Sequence, residues 1–218
     1  MSSATNTGVI GQMRKQAVRG AKVASTYIRP FSSSHGVDDC EDEYRSGEWD
    51  YLANDQEAPR FHLVAGLCMR TNPTPRVLEI GCGEGLLPER LSAHRYTEYV
   101  GVDAAPTAIE RARSRALDNA TFAVADATTF EPEPGLFDVI VFSEMLYYLP
   151  DPLATVCRLE SGWLAPGGEI VVSQYKSLDM PKARQVWKLL HTTYDVALRT
   201  QLSANGLTWT VEALAPRR

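Results

Sequence analysis

The stretch Arg76-Val77-Leu78-Glu79-Ile80-Gly81-Cys82-Gly83-Glu84-Gly85 decides the fold. Val77, Leu78 and Ile80 form a short apolar run of the kind found in strands buried on both faces. Gly81, Gly83 and Gly85 alternate, which suits a tight turn where a ligand approaches the backbone closely. Residues 86–93 then read as a helix, so the turn lies at a helix N-terminus, where backbone amides are open. A second apolar run, Tyr99-Val100-Gly101-Val102, ends in Asp103.

Strand, glycine turn, helix, strand and terminal acid is the order of a nucleoside-binding βαβ unit. The acid stands where it can accept hydrogen bonds from ribose hydroxyls. Spacing separates the cofactors. A dinucleotide fingerprint needs G-x-G-x-x-G, whereas this chain has G-x-G-x-G, with Leu86 where the third dinucleotide glycine falls. Glu79, just before the turn, would repel a pyrophosphate but attract a sulfonium or an amino group.

These residues resemble motif I of the class I S-adenosylmethionine methyltransferases. The resemblance implies an α/β, Rossmann-like fold: a mostly parallel seven-stranded sheet with a C-terminal antiparallel hairpin and helices on both faces. It implies S-adenosyl-L-methionine as cofactor and S-adenosyl-L-homocysteine as product. It also implies a cofactor site drawn from Glu79, Gly81, Gly83, Gly85, Asp103, Ala104, Asp126, Ala127 and Ser143. In this family an acid after the third strand receives the adenine amino group, which is the role implied for Asp126; capping the segment after it is the alternative.

The rest of the chain reads consistently with that plan. Helices are expected over 56–70, 106–116, 153–163 and 182–192, and strands over 121–125, 137–142 and 169–174. Leu164-Ala165-Pro166-Gly167-Gly168 reads as a turn before the fifth strand and resembles the family's L-x-P-G-G signature. Residues 194–202 and 207–214 read as two strands joined through Asn205-Gly206, a strong hairpin signal.

The 218 residues suit one domain, with 22 basic and 27 acidic residues giving a formal net charge of −5. Arg14, Lys15, Arg19, Lys22 and Arg29 fall in the first 37 residues, which hold no acid. Residues 1–37 therefore read as a basic arm, disordered or lying weakly on a membrane surface, and 38–218 as the folded domain. The acidic body speaks against nucleic-acid binding, which needs basic surface. Cys40, Cys68, Cys82 and Cys157 show no C-x-x-C spacing, which points to reduced thiols, no metal site and a cytoplasmic protein.

Ser143-Glu144-Met145-Leu146-Tyr147-Tyr148-Leu149 follows the fourth strand, outside the carboxyl ends of the strands where α/β folds bind ligands. It resembles the nodulation N-methyltransferase (NodS-like) group, which methylates an amine of a chitooligosaccharide. The upstream Trp49 and Arg60-Phe61-His62 resemble that group as well. Glu144 is the leading candidate to orient or deprotonate an acceptor, against the alternative of bonding a neighbouring loop amide. His191 and His62 are further candidate bases. Tyr44 and Trp49 are candidates to cover the cofactor, and Tyr147 to wall the acceptor pocket.

The expected function is methyl transfer to a hydroxyl or amino group of a small polar acceptor, a saccharide or glycoconjugate first. A phenol or polyketide acceptor, or cofactor binding without transfer, are the alternatives.

Overall fold

The computed structural model describes residues 37–91, 96–176, 181–204 and 206–217. Nearly all of the basic arm, and Asn205 of the predicted hairpin turn, lie outside the described residues. Helix α1 (Val37–Arg45) and a 3₁₀ turn (Asp50–Ala53) precede α2 (Ala58–Cys68). Then follow β1 (Arg76–Ile80), α3 (Leu86–Leu91), β2 (Glu98–Asp103), α4 (Pro106–Ser114), β3 (Ala120–Val124) and β4 (Phe137–Ser143). After a 3₁₀ turn (Leu146–Tyr148) come α5 (Pro152–Trp163), β5 (Leu164–Tyr175), α6 (Pro181–Thr193), β6 (Tyr194–Ala204) and β7 (Leu207–Pro216).

The strands form a seven-stranded sheet in the order β3-β2-β1-β4-β5-β7-β6. Strands β1 to β5 pair in parallel, and β7 runs antiparallel to both β5 and β6. The expected class I methyltransferase architecture is therefore the one observed. The order reverses between β1 and β4, and it is outside the strand ends at such a reversal that open α/β sheets bind ligands. Alternate residues of the central strands serve two cores. Val77, Val139, Val141 and Val171 pack with Phe61, Val64 and Leu67 of α2, Leu87 of α3 and Ile109 of α4. Leu78, Ile80, Ile140, Phe142 and Val172 pack with Val156 and Leu159 of α5 and Val186 and Leu190 of α6. Burial on both faces explains why β1 and β4 read as near-continuous apolar runs.

Most boundaries fall within two residues of the expectation, and the largest difference is at the start of β5. The L-x-P-G-G segment lies inside β5, because Phe137 pairs with Leu164 while Val139 already pairs with Glu169. Residues 165–168 bulge out of the ladder between those two points, with Gly167 at φ +82°. A Cβ at Gly168 would stand 2.8 Å from the Asp138 carbonyl, so only glycine lets β4 and β5 approach there. Among the described residues, no helix is long and apolar enough to cross a membrane.

Candidate functional site

The glycine turn is shaped by its own backbone and by β2. The amides of Gly81 and Cys82 both donate to the Val102 carbonyl, at 2.8 and 2.9 Å. Gly81, Gly83 and Gly85 all have positive φ, at +74°, +53° and +72°. Space is limiting as well as backbone angle. A Cβ on Gly83 would lie 2.7 Å from the Tyr44 hydroxyl, and one on Gly81 would lie 2.8 Å from Cβ of Met145. The turn is thus approached by α1 and by the loop after β4.

Asp103, at the end of β2, faces this turn. Its Oδ2 accepts from the Gly83 amide at 2.9 Å and its Oδ1 from the Ala105 amide at 3.0 Å. Burial pushes its carboxyl above the ordinary range, while the amides of Ala105, Gly83 and Ala104 pull it back. A carboxylate offers about four lone-pair sites, so these two bonds leave acceptor capacity for a diol.

The segment before β1 closes over the same place. The Glu41 carboxylate accepts from the Thr107 amide at 2.9 Å and the Thr107 hydroxyl at 2.6 Å, which ties α1 to the positive N-terminal end of α4. Arg111 donates to the Tyr44 carbonyl at 3.0 Å and to Asp50 at 2.9 Å, and also pairs with Glu84 of the turn. Tyr44 is buried against Ala105 and Ala108, with half-buried Trp49 beside it at 6.2 Å between ring centroids. The Tyr44 hydroxyl thus lies against the turn at Gly83 and its ring against the start of α4, with Trp49 packed beside it.

Glu79 is buried at the end of β1 and accepts a hydrogen bond from the Tyr99 hydroxyl. Burial pushes its carboxyl up to about 7, while the Tyr99 hydroxyl and the Arg60 guanidinium hold it down. Arg60 itself is only 2 % exposed. It donates from Nη1 to Ser143 Oγ at 2.6 Å and from Nε to Glu57 at 3.1 Å, and it lies 4.1 Å over the Phe61 ring.

Glu144 follows β4 at φ +59°, a left-handed conformation that glutamate rarely adopts. Its backbone amide donates to the Ser173 carbonyl at 2.9 Å. Its carboxylate accepts from the Ser173 hydroxyl (2.9 Å), the Tyr147 hydroxyl (3.0 Å) and the Tyr175 amide (2.8 Å). Burial raises its carboxyl and Arg60 lowers it. The amide that Glu144 accepts from belongs to the last residue of β5, not to a neighbouring loop as the sequence alternative had it. Tyr147 and Tyr148 form a tilted ring pair at 4.7 Å beside it.

Four other candidates make no bond to the Glu144 cluster. Asp126 is exposed and caps its own loop, accepting from the Thr128 amide at 2.8 Å and hydroxyl at 2.7 Å. Ala127 follows it, with its carbonyl taken by Arg158 at 2.8 Å. His191 does not join Glu144: its imidazole meets Glu212 of β7 at 2.7 Å and stacks on Trp187. β7 lies three strands from β1 along the sheet, about 14 Å at the usual strand spacing. His62 bonds the Ala58 carbonyl of its own helix at 2.8 Å and faces outward. Among the described residues, no group of His, Cys, Asp and Glu forms a metal site.

Sequence reading missed Arg60, Glu57 and Tyr99 as parts of the site. A signal for Arg60 was present: it stands four residues before Val64, on the buried stripe of α2, where a cation needs a partner.

A model of the methyltransferase domain matches residues 47–213. The chain belongs to the methyltransferase-domain family. Over 129 residues it is 36% identical to nodulation protein S of Rhizobium tropici, covering 56% of this chain and 52% of that protein. It is also 36% identical over 105 residues to a ubiquinone biosynthesis O-methyltransferase of Xanthomonas campestris pv. campestris, covering 46% of this chain and 43% of that one. The chain spans about half the length of the curated relatives it matches. Among solved structures it resembles the N-methyltransferase NodS of Bradyrhizobium japonicum in complex with S-adenosyl-L-homocysteine. That likeness has a TM-score of 0.65 at 25% identity and covers 78% of this chain and 92% of that one. The magnesium protoporphyrin IX methyltransferase of Synechocystis, with bound S-adenosylmethionine, shares the fold at TM-score 0.65 and 17% identity.

The site fits that cofactor. A turn that tolerates no Cβ at Gly83, a half-satisfied Asp103 carboxylate and a buried Glu79 together supply close backbone approach, diol acceptors and negative charge for a sulfonium or ammonium.

Proposed function

We propose that this chain transfers the methyl group of S-adenosylmethionine to a hydroxyl or amino group of a small polar acceptor, a saccharide or glycoconjugate first. One observation carries the reading. The nucleoside-type turn, covered by Tyr44, and the anchored carboxylate of Glu144 open onto the same switch point, the ends of β1 and β4.

When bound, the cofactor supplies an electrophilic methyl whose leaving group is a neutral thioether. The protein therefore has no developing anion to stabilise on the leaving side. Its own residues hold the parts in line and keep water out, which for a bimolecular displacement is the larger share of the barrier. In this reading Asp103 and the glycine turn hold the nucleoside, and Glu79 faces its cationic end. Ser143, Ala104, Asp126 and Ala127 border it. Glu144 orients the acceptor or takes its proton, a role worth about 10²–10⁴-fold for a hydroxyl and less for a neutral amine.

The saccharide preference rests on the similarity to nodulation protein S and on aromatic faces near the opening. Trp49 and Tyr51, both half-buried, lie 6.0 Å apart. A phenolic acceptor is the second reading, favoured by the similarity to the ubiquinone O-methyltransferase. The free thiols of Cys40, Cys68, Cys82 and Cys157 suit a reducing, cytoplasmic setting.

The test is incubation with isotope-labelled S-adenosylmethionine and separate panels of saccharides, amino sugars and phenols, read by mass spectrometry. Label on a saccharide or amino sugar supports the first reading, and label on a phenol alone replaces it with the second. No label on any panel, with cofactor binding intact by calorimetry, leaves a cofactor-binding protein and overturns both.

A further inference from the structure

Among the described residues, Gln174 is 0 % exposed, yet neither its amide nitrogen nor its amide oxygen has a hydrogen-bond partner. A buried amide left unpaired lowers stability, and native folds keep few of them. Packing gives no reason for this one. Gln174 lies on β5 opposite Thr210 of β7. Strand alternation puts it on the face of Ile170 and Val172, in the core that includes Phe142, Leu214 and, on α6, Ala183 and Val186. A leucine or methionine would fill such a place without stranding a donor and an acceptor. Glu212, on the same face of β7, is by contrast paired with His191 and Arg199. Position explains what packing does not. The β4–β5 ladder ends at the pair Ser143 and Ser173, so Gln174 stands one residue beyond it, at the strand ends where such sheets take ligands. Both its chain neighbours hold Glu144, through the Ser173 hydroxyl at 2.9 Å and the Tyr175 amide at 2.8 Å. The third bond to that carboxylate comes from Tyr147, which packs in the same core as Val172 and Ala183. Half-buried Tyr148, Tyr175 and Trp187 pack against that core as well.

We propose that the Gln174 amide binds the methyl acceptor through two neighbouring hydroxyl groups, holding a saccharide ring while Glu144 faces the hydroxyl or amino group that is methylated. The proposal rests on the transfer reading above and narrows its acceptor to a polyol. The amide sets the class. It offers an N–H donor and a carbonyl acceptor side by side, and a hydroxyl can both donate and accept. Of two adjacent hydroxyls, one donates to the amide oxygen while the other accepts from the amide nitrogen. A lone phenolic hydroxyl would leave one end of the amide unpaired. Because the amide is already out of water, a polyol restores bonds that folding removed, and a ring lacking one of the two hydroxyls is rejected. Acceptor entry requires α6 and the 3₁₀ turn 146–148, which pack against one another, to part.

The test compares the full chain with Gln174→Met, which keeps the length of the side chain and removes the amide. The probes are methyl glycosides of glucose, galactose and glucosamine, their monodeoxy analogues, and phenol, each with labelled S-adenosylmethionine. Melting temperature, S-adenosyl-L-homocysteine affinity, kcat and KM are read for both proteins. Gln174→Met is expected to melt no lower than the parent and to bind S-adenosyl-L-homocysteine within about twofold of it. Its KM for the methylated glycoside should rise at least tenfold. The parent should disfavour one monodeoxy analogue at least tenfold in kcat/KM, and Gln174→Met should lose that preference. Gln174→Leu takes its place if the methionine variant does not fold, and the parent's preference among the analogues needs no variant. A variant with parental KM and parental preference, whatever its melting temperature, overturns the inference, as does a parent indifferent to every missing hydroxyl or label confined to phenol. A parent that binds S-adenosyl-L-homocysteine but labels none of the probes overturns the transfer reading beneath it, and the inference with it.

Discussion

Replacing Asp103 by Ala separates two jobs that one carboxylate performs. In the protein alone, Oδ2 and Oδ1 hold the amides of Gly83 and Ala105 at 2.9 and 3.0 Å. Removing the carboxylate strands two amide donors. Each costs about 1–3 kcal/mol where buried, and Asp103 is only half-buried, so water relieves part of the loss. The expected drop in stability is about 1–3 kcal/mol, or roughly 2–10 °C in melting temperature for a chain of this size. Cofactor binding should lose a further, separate amount. Charge-assisted bonds from a ribose diol to the remaining lone pairs are worth about 1.5–3 kcal/mol, which is roughly a 10- to 160-fold rise in Kd. Calorimetric titration with S-adenosyl-L-homocysteine measures the second quantity and differential scanning calorimetry the first. Asp103→Asn, which retains shape and one acceptor oxygen, should fall between parent and Asp103→Ala in both. Binding of the homocysteine product within threefold of the parent by Asp103→Ala, together with a clear fall in melting temperature, would refute the ribose role and leave Asp103 as a brace for the turn.

Three further outcomes are expected. Because Glu79 is raised to about 7, its ionisation is costly in the protein alone. Its contribution to stability is full below its ordinary value near 4.5 and is lost as pH rises through about 7. Affinity for a cationic cofactor has the opposite sign, falling by up to about tenfold per unit as pH drops below 7, and a flat profile from pH 5.5 to 8 in Glu79-intact protein would remove Glu79 from the site. Gly83→Ala should lower the melting temperature and weaken cofactor binding, since it meets both the φ of +53° and the Tyr44 hydroxyl; adding Tyr44→Phe should restore part of the binding, and no restoration would show that backbone angle alone is at fault. Glu144→Gln should bind cofactor normally but slow transfer to the identified acceptor by at least about tenfold, some 1.4 kcal/mol of transition-state stabilisation, with unchanged turnover excluding it from the mechanism.

The motif at residues 76–103, with the strand and turn pattern downstream that resembles the same family, was enough to reach the fold and the cofactor class, because these signals lie in neighbouring residues. Apolar runs at 77–80 and 139–142 suit strands buried on both faces, and alternating glycines before a helix suit a turn that a ligand approaches closely. The terminal hairpin was legible for the same reason, since strand period and turn chemistry are properties of neighbouring residues. Pairings across long loops were not. That Tyr44 covers Gly83, that Tyr99 bonds Glu79, and that Arg60 on α2 reaches Ser143 on β4 depend on strand order and helix placement. The histidines show the same limit from the other side. His191 has the chemistry of a base, but β7 carries Glu212 to it far from β1, and only the sheet order reveals the distance. Sequence determines which residues can do chemistry, because that is a property of side chains. Tertiary structure decides which of them meet, because burial removes water from a charged group and leaves it dependent on whatever partner the fold brings within reach.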